Sequence, residues 1–567
     1  MIATLIFCNV WSTQKSGLLQ YDGVGTSRYF VFQFLPQLLA IFMIIWLITI
    51  QCAIQRVLPF SILASARRMS QNSTLFDNIT LFPTNFLTPN FSFFQCGEPL
   101  LGICYVVFWL CLFTVPLHSS LFQTRYHISE AQGIWLWTTV RPIGWTLVVL
   151  YGLLIIALFY VIIRFLLHPT GLKWDPVSLA DILMLFNQSN ILSDFEGLEI
   201  LDPKDKKRTR KAYRLGYWTI SDRQNEVRYG IGANQAVAPQ YQLEEEKAKM
   251  KITGFSPQNY DLEGQPSMKA NDLGSFPINI HSWTVRHQWL PWFLKDTFVV
   301  AWIVIAVILM LAFVVISFVN RHVERGFLPL LPAPTTSQGF SPANFLYSFI
   351  PSLIGLILFL LWQPIDLYFR ALQPFAGLSN ARGTTAENSL LLDYTSCLPF
   401  EITIKAAMGR HYKVAYISFI GILSAVIPVL AGGVFTAQFF AATRDVRMAA
   451  SLTAYIALAV FVVVYALSFL VIWPTDKRRL PHDISTLGQL ISFAYQSPLL
   501  ADPTFREPCS KFDLATRLLG APAAGKASPR YAFGVYVGMD EKEHLGIDRL
   551  QGPGSGEMPM TTETKMN

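Results

Sequence analysis

Gly520-Ala-Pro-Ala-Ala-Gly525-Lys526 has the spacing that opens a phosphate-binding loop, in which backbone amides cradle phosphates and a closing hydroxyl holds magnesium. Ala527 stands where that Ser or Thr is needed, no strand leads in, and Pro522 and Pro529 work against the helix that should follow. Nucleotide chemistry is therefore not read here. His281 and His287 lie six apart in a loop and share no helix face, and the nine histidines contain no H-E-x-x-H pair. There is no G-x-S-x-G elbow. Asp393-Tyr394 and Asp77 occupy matching loop positions, where aspartates ordinarily cap or turn the chain. No catalytic residue, metal site or cofactor is expected, and the chain reads as no enzyme.

What remains are residues that gain meaning only inside a membrane. Asp366 lies one turn before Arg370, a spacing that permits an ion pair, with contact to a solute as the alternative. Pro116, with His118, Ser119 and Ser120, and Pro428, with Gly432 and Gly433, sit near the outer ends of two apolar runs. Proline breaks at corresponding places can free carbonyls to bind a solute or ion, although proline and glycine also simply kink or pack membrane helices. These eight residues are the candidate pathway.

The elements that must position them are spans. The 567 residues are 52% hydrophobic and only 14% charged, with a mean hydropathy of +0.38, and the charges cluster between long apolar runs, as in a polytopic protein. A helix needs about 20 apolar residues to cross the hydrocarbon core. Seven stretches qualify: 29–54, 99–122, 143–167, 297–319, 345–369, 414–437 and 451–473. Ile2 to Val10 is apolar but too short.

Basic residues at the span ends set orientation. Lys204, Lys206, Lys207, Arg208, Arg210 and Lys211 follow the third span, and Arg56, Arg67 and Arg68 follow the first. These place residues 56–98, 168–296, 370–413 and the carboxyl tail in the cytosol. The sequons at Asn72, Asn78 and Asn90 argue the other way for one loop, because glycans lie outside or in a lumen. The net charge of +7 is explained by loop retention, so no nucleic-acid partner is expected. Seven scattered cysteines form no disulfide framework.

The chain also repeats itself. Arg56-Val-Leu-Pro-Phe-Ser-Ile-Leu-Ala corresponds to Arg370-Ala-Leu-Gln-Pro-Phe-Ala-Gly-Leu with one inserted residue, and Asn72-Ser-Thr-Leu-Phe-Asp aligns on Asn388-Ser-Leu-Leu-Leu-Asp. Ser178 to Asp194 aligns without a gap on Thr486 to Asp502, and Tyr213-Arg-Leu-Gly-Tyr-Trp, with Gly230, resembles Tyr531-Ala-Phe-Gly-Val-Tyr, with Gly546. The last pair reads as a β-hairpin in each half.

The expected fold is an all-α polytopic membrane protein of two parallel repeats, each of about four transmembrane helices with a small cytoplasmic α/β appendage. The first helix of repeat one is truncated on this reading. Residues 1–28 hold that remnant and an outer loop, and 29–233 form repeat one with a hairpin at 211–233. Residues 234–296 form a flexible linker, 297–550 repeat two with a hairpin at 530–547, and 551–567 a disordered tail.

The R-x-L-(Q)-P-F-x-x-L, N-S-x-L-x-D-Y and Q-S-x-L-L-x-D segments resemble a fungal multi-pass membrane family catalogued as domain of unknown function 3433. The resemblance covers about Tyr29 to Leu550 and implies a duplicated membrane architecture and a fungal source, without an activity. The partners expected are the lipid bilayer and cytoplasmic proteins met through the paired hairpins, in a plasma or internal membrane. Two readings follow: a non-enzymatic membrane scaffold or homeostasis factor, or a transporter or channel for a neutral or weakly charged solute. A lipid-modifying enzyme ranks third.

Overall fold

A computed structural model describes residues 1–550 except 16, 24–25, 65–78, 130–131, 197, 199–212, 221–222, 234–235, 238–288, 319–325, 333–339, 381, 441–444, 475–478 and 521–527. Among the described residues, seven helices are long and apolar enough to cross a membrane. The basic cluster at 204–211, the imitation phosphate loop after Gly520, His281, His287, Asp77, Asn72 and Asn78 lie outside the described residues, as do most of the linker and the tail.

The first half runs α1 (Ile2–Gln14), α2 (Ser27–Ala64), α3 (Pro99–Cys111), α4 (Thr114–Ser119), a hairpin of β1 (Phe122–Ser129) and β2 (Gln132–Thr139), and α5 (Arg141–Leu167). It ends in α6 (Leu179–Leu185) and a second hairpin, β3 (Tyr213–Ile220) with β4 (Arg223–Ala233). The second half opens with α7 (Asp296–Phe318), α8 (Pro342–Leu378), α9 (Pro399–Met408), α10 (Tyr412–Ser424) and α11 (Val426–Gly433). It continues with β5 (Phe435–Phe440), β6 (Asp445–Ala450), α12 (Leu452–Ser468), α13 (Leu487–Ser492), β7 (Arg530–Val537) and β8 (Glu543–Leu550). Helix α1, at 13 residues, rises only about 20 Å, short of a ~30 Å core.

Two expected spans differ from the sequence reading in the same way. The stretches 99–122 and 414–437 are each a helix pair that stops early, at Ser119 and Gly433, and Phe122 and Phe435 instead open antiparallel hairpins. Proline explains the breaks. Pro116 and Pro428 cannot donate to the carbonyls four residues back, and their rings crowd those carbonyls. The helices break there, between Cys111 and Thr114 and at Ala425. Apolar runs that continue beyond the breaks hide the change from helix to strand. The fold is mostly helical, with these two hairpins in addition to the pair expected from the repeat.

Helices α2 and α8 run past the expected ends at Ile54 and Phe369 to Ala64 and Leu378, so Arg56 and Arg370 stand on helices rather than in loops. Both arginines are paired: Arg56 Nε and Nη2 bond the Asp175 carboxylate at 2.9 and 2.6 Å, and Arg370 bonds Asp366. A helix can carry an arginine beyond its apolar stretch when a carboxylate meets it.

Beyond the spans, α6 and α13 open with equivalent capping boxes. Ser178 Oγ accepts from Asp181 N while the Asp181 carboxylate accepts from Ser178 N; Thr486 and Gln489 repeat the exchange. The two halves interlock here. Ala180 N donates to Leu390 O at 2.9 Å, Leu81 N to Ser485 O at 2.7 Å, and Asn187 Nδ2 to Leu500 O at 2.6 Å. The terminal hairpins also share a register, with Gly216 opposite Gly230 and Gly534 opposite Gly546. At Gly546 a Cβ would fall 1.9 Å from Phe493 O, which also accepts from Ile547 N at 2.7 Å. The missing side chain lets the second hairpin dock against the end of α13.

Asp548 of that hairpin is buried and accepts from Ser497 Oγ at 3.0 Å. Burial raises its carboxyl above the ordinary aspartate range. The folded state therefore holds the proton more tightly than the unfolded state, so this group favours folding most in acid and loses that contribution as pH rises through the raised value. Asp548→Asn is expected to raise the unfolding temperature at pH 7, with the advantage closing as pH approaches about 4. Thermal unfolding of both proteins across that window checks it, and a constant difference would point to packing alone.

Candidate functional site

The proline-bearing helix ends of both halves converge. Helix α8 crosses α11 so closely that a Cβ on Gly355 would lie 2.6 Å from Pro428 Cα, and one on Gly432 would lie 2.4 Å from Gln37 Oε1 and 2.6 Å from Ser119 Cβ. Ser119 and Gly432, each at or near the end of its broken helix, thus meet where the two halves join. Carbonyls freed at such ends could take a solute or ion. Here the Gln33 amide donates to Ser119 O at 3.2 Å and Gly432 O at 3.0 Å, and Tyr29 OH donates to Gly433 O at 2.6 Å. Gln33 lies in a π-helical turn, Phe30–Phe34, that ends two residues before Pro36.

Pro116, His118, Ser119, Ser120, Pro428, Gly432 and Gly433 are all buried at this junction. His118 Nε2 is 2.8 Å from Tyr151 OH, Ser119 Oγ donates to Pro116 O at 2.7 Å, and Ser120 Oγ donates to Leu117 O at 3.2 Å. Asp366 is not among them. It lies about 21 Å further along α8 than Ser352, and Ser352 is the α8 residue whose Cβ faces Gly432.

Around Asp366 the partners are complete. Arg370 Nε and Nη2 donate to its two oxygens at 3.0 and 2.5 Å, Ser418 Oγ donates to Oδ1 at 2.5 Å, and Arg370 Nη1 donates to Cys397 O at 3.2 Å. In the neighbouring loop Asp393 pairs with Lys405 at 3.1 Å, and Lys405 with Glu401 at 2.8 Å. The Glu401 hydrogen bond holds the Lys405 ammonium above its ordinary range. Burial, with Asp393 beside it, pushes the Cys397 thiol up to about 11, so it stays protonated. Among the described residues no group of three His, Cys, Asp or Glu could hold a metal ion.

The sequence reading missed Gln33, Gln37, Ser352 and Tyr29. The available signal was Pro36-Gln37 in α2 and Pro351-Ser352 in α8, the same proline-polar step in each half. Gln37 Oε1 and Ser352 Oγ are buried and have no hydrogen-bond partner among the described residues.

A second feature is a cavity of about 1030 Å³ at the head of α7, at the upper end of the roughly 300–1,000 Å³ usual for small-molecule sites. Trp289 and Leu480 exchange backbone bonds at 2.9 and 3.3 Å, tying the approach to α7 to the segment after α12. The apolar side of the cavity carries Trp289, Trp292, Phe293 and Tyr368; the polar side carries Lys295, Arg479, Asp483 and Gln489. Arg479 bonds Asp296, and the Asp483 carboxylate accepts from Ser485 Oγ at 2.6 Å.

No curated protein and no solved structure matches the chain. Two of its segments match one family model, and they are the ones that build the junction: α2 through α4 in the first half, α8 through α11 in the second. Residues 30–123 and 345–436 each match the family described as protein of unknown function (DUF3433), a double match consistent with a duplicated unit.

Proposed function

We propose that this chain is a non-enzymatic membrane scaffold or homeostasis factor whose paired hairpins, facing the cytosol, dock other proteins. The closed junction is the observation that carries this reading. Glutamine and tyrosine side chains occupy the helix-end carbonyls, and glycine contacts close the space between α8 and α11 and between Gly432 and Ser119, as suits a frame that holds one shape at this point. Val537 and Met539, at the tip of the second hairpin, are half exposed and apolar, which suits a docking face.

A photo-crosslinking residue at Met539 in native membranes is expected to yield one recurrent protein adduct. Val537→Glu should remove that adduct while the purified chain keeps its size-exclusion profile. Adducts to lipid alone, or insensitivity to Val537→Glu, would sink the docking role.

The cavity at the head of α7 favours a second reading, transport of a neutral or weakly charged solute. In proteoliposomes offered a solute panel, the scaffold reading expects flux no higher than in protein-free vesicles. A flux that Pro116→Ala and Pro428→Ala both abolish would replace it with the transporter.

A further inference from the structure

The polar cavity adjoins an apolar groove on α7. Trp292 and Phe293 line both, and the groove is bounded by Trp302, Ala306 and Leu309 of α7 and by Leu358 and Leu361 of α8. Helix α7 leans on α12, where Phe313 stacks on Tyr455 at 5.5 Å, and it is the least enclosed of the seven spans. The groove is the space left between α7 and α8, closed on its third side by Tyr465, Phe469 and Ile472 at the end of α12.

We propose that this cavity and groove form one binding site for a glycerophospholipid, with the phosphate beside Lys295 and an acyl chain between α7 and α8. Four observations converge on it. Lys295 immediately precedes the span and is exposed, and among the described residues it has no carboxylate partner. Arg479 pairs with Asp296 beside it, and the Asp483 carboxylate on the same side is held by Ser485 Oγ and by the amides of Ile484 and Ser485, so both carboxylates are engaged by groups other than the Lys295 ammonium. Trp289 and Trp292 set the cavity at the depth where interfacial aromatics and lipid headgroups meet. The lining then changes from Lys295, Ser485 and Gln489 to purely apolar side chains across Trp292 and Phe293, the order in which a phospholipid changes from head to chain.

Other ligand classes fit only part of the site. A soluble phosphate ester would leave the groove unused, and a sterol would leave Lys295 unused. The proposal is independent of the scaffold reading.

The test uses the purified full chain in detergent and a phosphatidylcholine with a diazirine near the end of one acyl chain. After irradiation, adducts should concentrate on Trp302, Leu309 and Leu361, and unlabelled phosphatidylcholine should compete. Lys295→Glu, at an exposed position, should weaken labelling about tenfold, the size expected for a lost charged hydrogen bond. Ala306→Trp, which fills the groove, should abolish it with the size-exclusion profile unchanged.

Labelling spread evenly onto lipid-facing Ile156 and Leu166 of α5 would overturn the site. Equal competition by glycerophosphocholine would assign it to a soluble phosphate diester, and equal competition by cholesterol to a sterol; either result overturns the proposal. Should Ala306→Trp fail to fold, the Lys295→Glu result decides.

Discussion

Asp366→Ala is expected to destabilise the chain by about 3–5 kcal/mol, because it strands the Arg370 guanidinium in a protein interior. The side chains of Asp366 and Arg370 are 3% and 5% exposed, and Ser418 and the Cys397 carbonyl complete the cluster. Removing the carboxylate leaves a charge whose remaining named partner is one carbonyl oxygen. Replacing both members, as in Asp366→Leu with Arg370→Met, removes the charge along with its partner and should recover most of the loss. Arg56→Met provides the contrast. Its partner Asp175 is 46% exposed, and an exposed pair is worth only about 0–1 kcal/mol. Thermal unfolding of the four proteins in one detergent measures the order. Equal losses for Asp366→Ala and Arg56→Met would mean that water reaches the Asp366 cluster and that a polar path runs there after all.

How much of this was legible depends on whether a residue acts on its own neighbourhood or across the fold. Pro116 and Pro428 could be recognised because proline acts on the carbonyl four residues behind it, wherever the helix is. The Asp366–Arg370 pair was legible for the same reason, as one turn of helix fixes the spacing. Ser178 and Thr486 aligned because a capping box is written in four consecutive residues.

Gln33 gave no such signal, and Gln37 gave only the proline-polar step it shares with Ser352. Each is one polar residue in an apolar run, and its role comes from Ser119 and Gly432, which the chain brings from far away. The hairpins at Phe122–Thr139 and Phe435–Ala450 stayed hidden at their junctions because Phe122 and Phe435-Thr-Ala continue the hydropathy of the helix ends, although the rest of β1, Gln-Thr-Arg-Tyr-His-Ile-Ser, is mostly polar. Period alone cannot separate a short apolar strand from the last turns of a span. The cavity at α7 was illegible altogether, since its walls come from separate segments near 80–95, 289–297, 364–368 and 479–489.

Gly355→Ala should separate the two helices that carry the junction. The added methyl would meet Pro428 Cα at 2.6 Å, Pro428 N at 2.8 Å and Ile427 C at 3.1 Å. All three are backbone atoms, so no rotamer change relieves the contact, and α8 must move away from α11. Overpacking of this kind costs about 1–3 kcal/mol. Gly432→Ala should cost a similar amount, because the Gln37 amide can turn aside but Ser119 Cβ at 2.6 Å and Ser352 Cβ at 3.0 Å are fixed by their own backbones. Gly152→Ala on α5 meets nothing within 4 Å and should stabilise by up to about 1 kcal/mol through helix propensity. In thermal unfolding Gly355→Ala and Gly432→Ala should both fall well below Gly152→Ala, because the first two meet atoms fixed by backbone and the third meets open space. If Gly355→Ala proved as harmless as Gly152→Ala, the two helices would already stand apart, and the closed frame on which the scaffold reading rests would be gone.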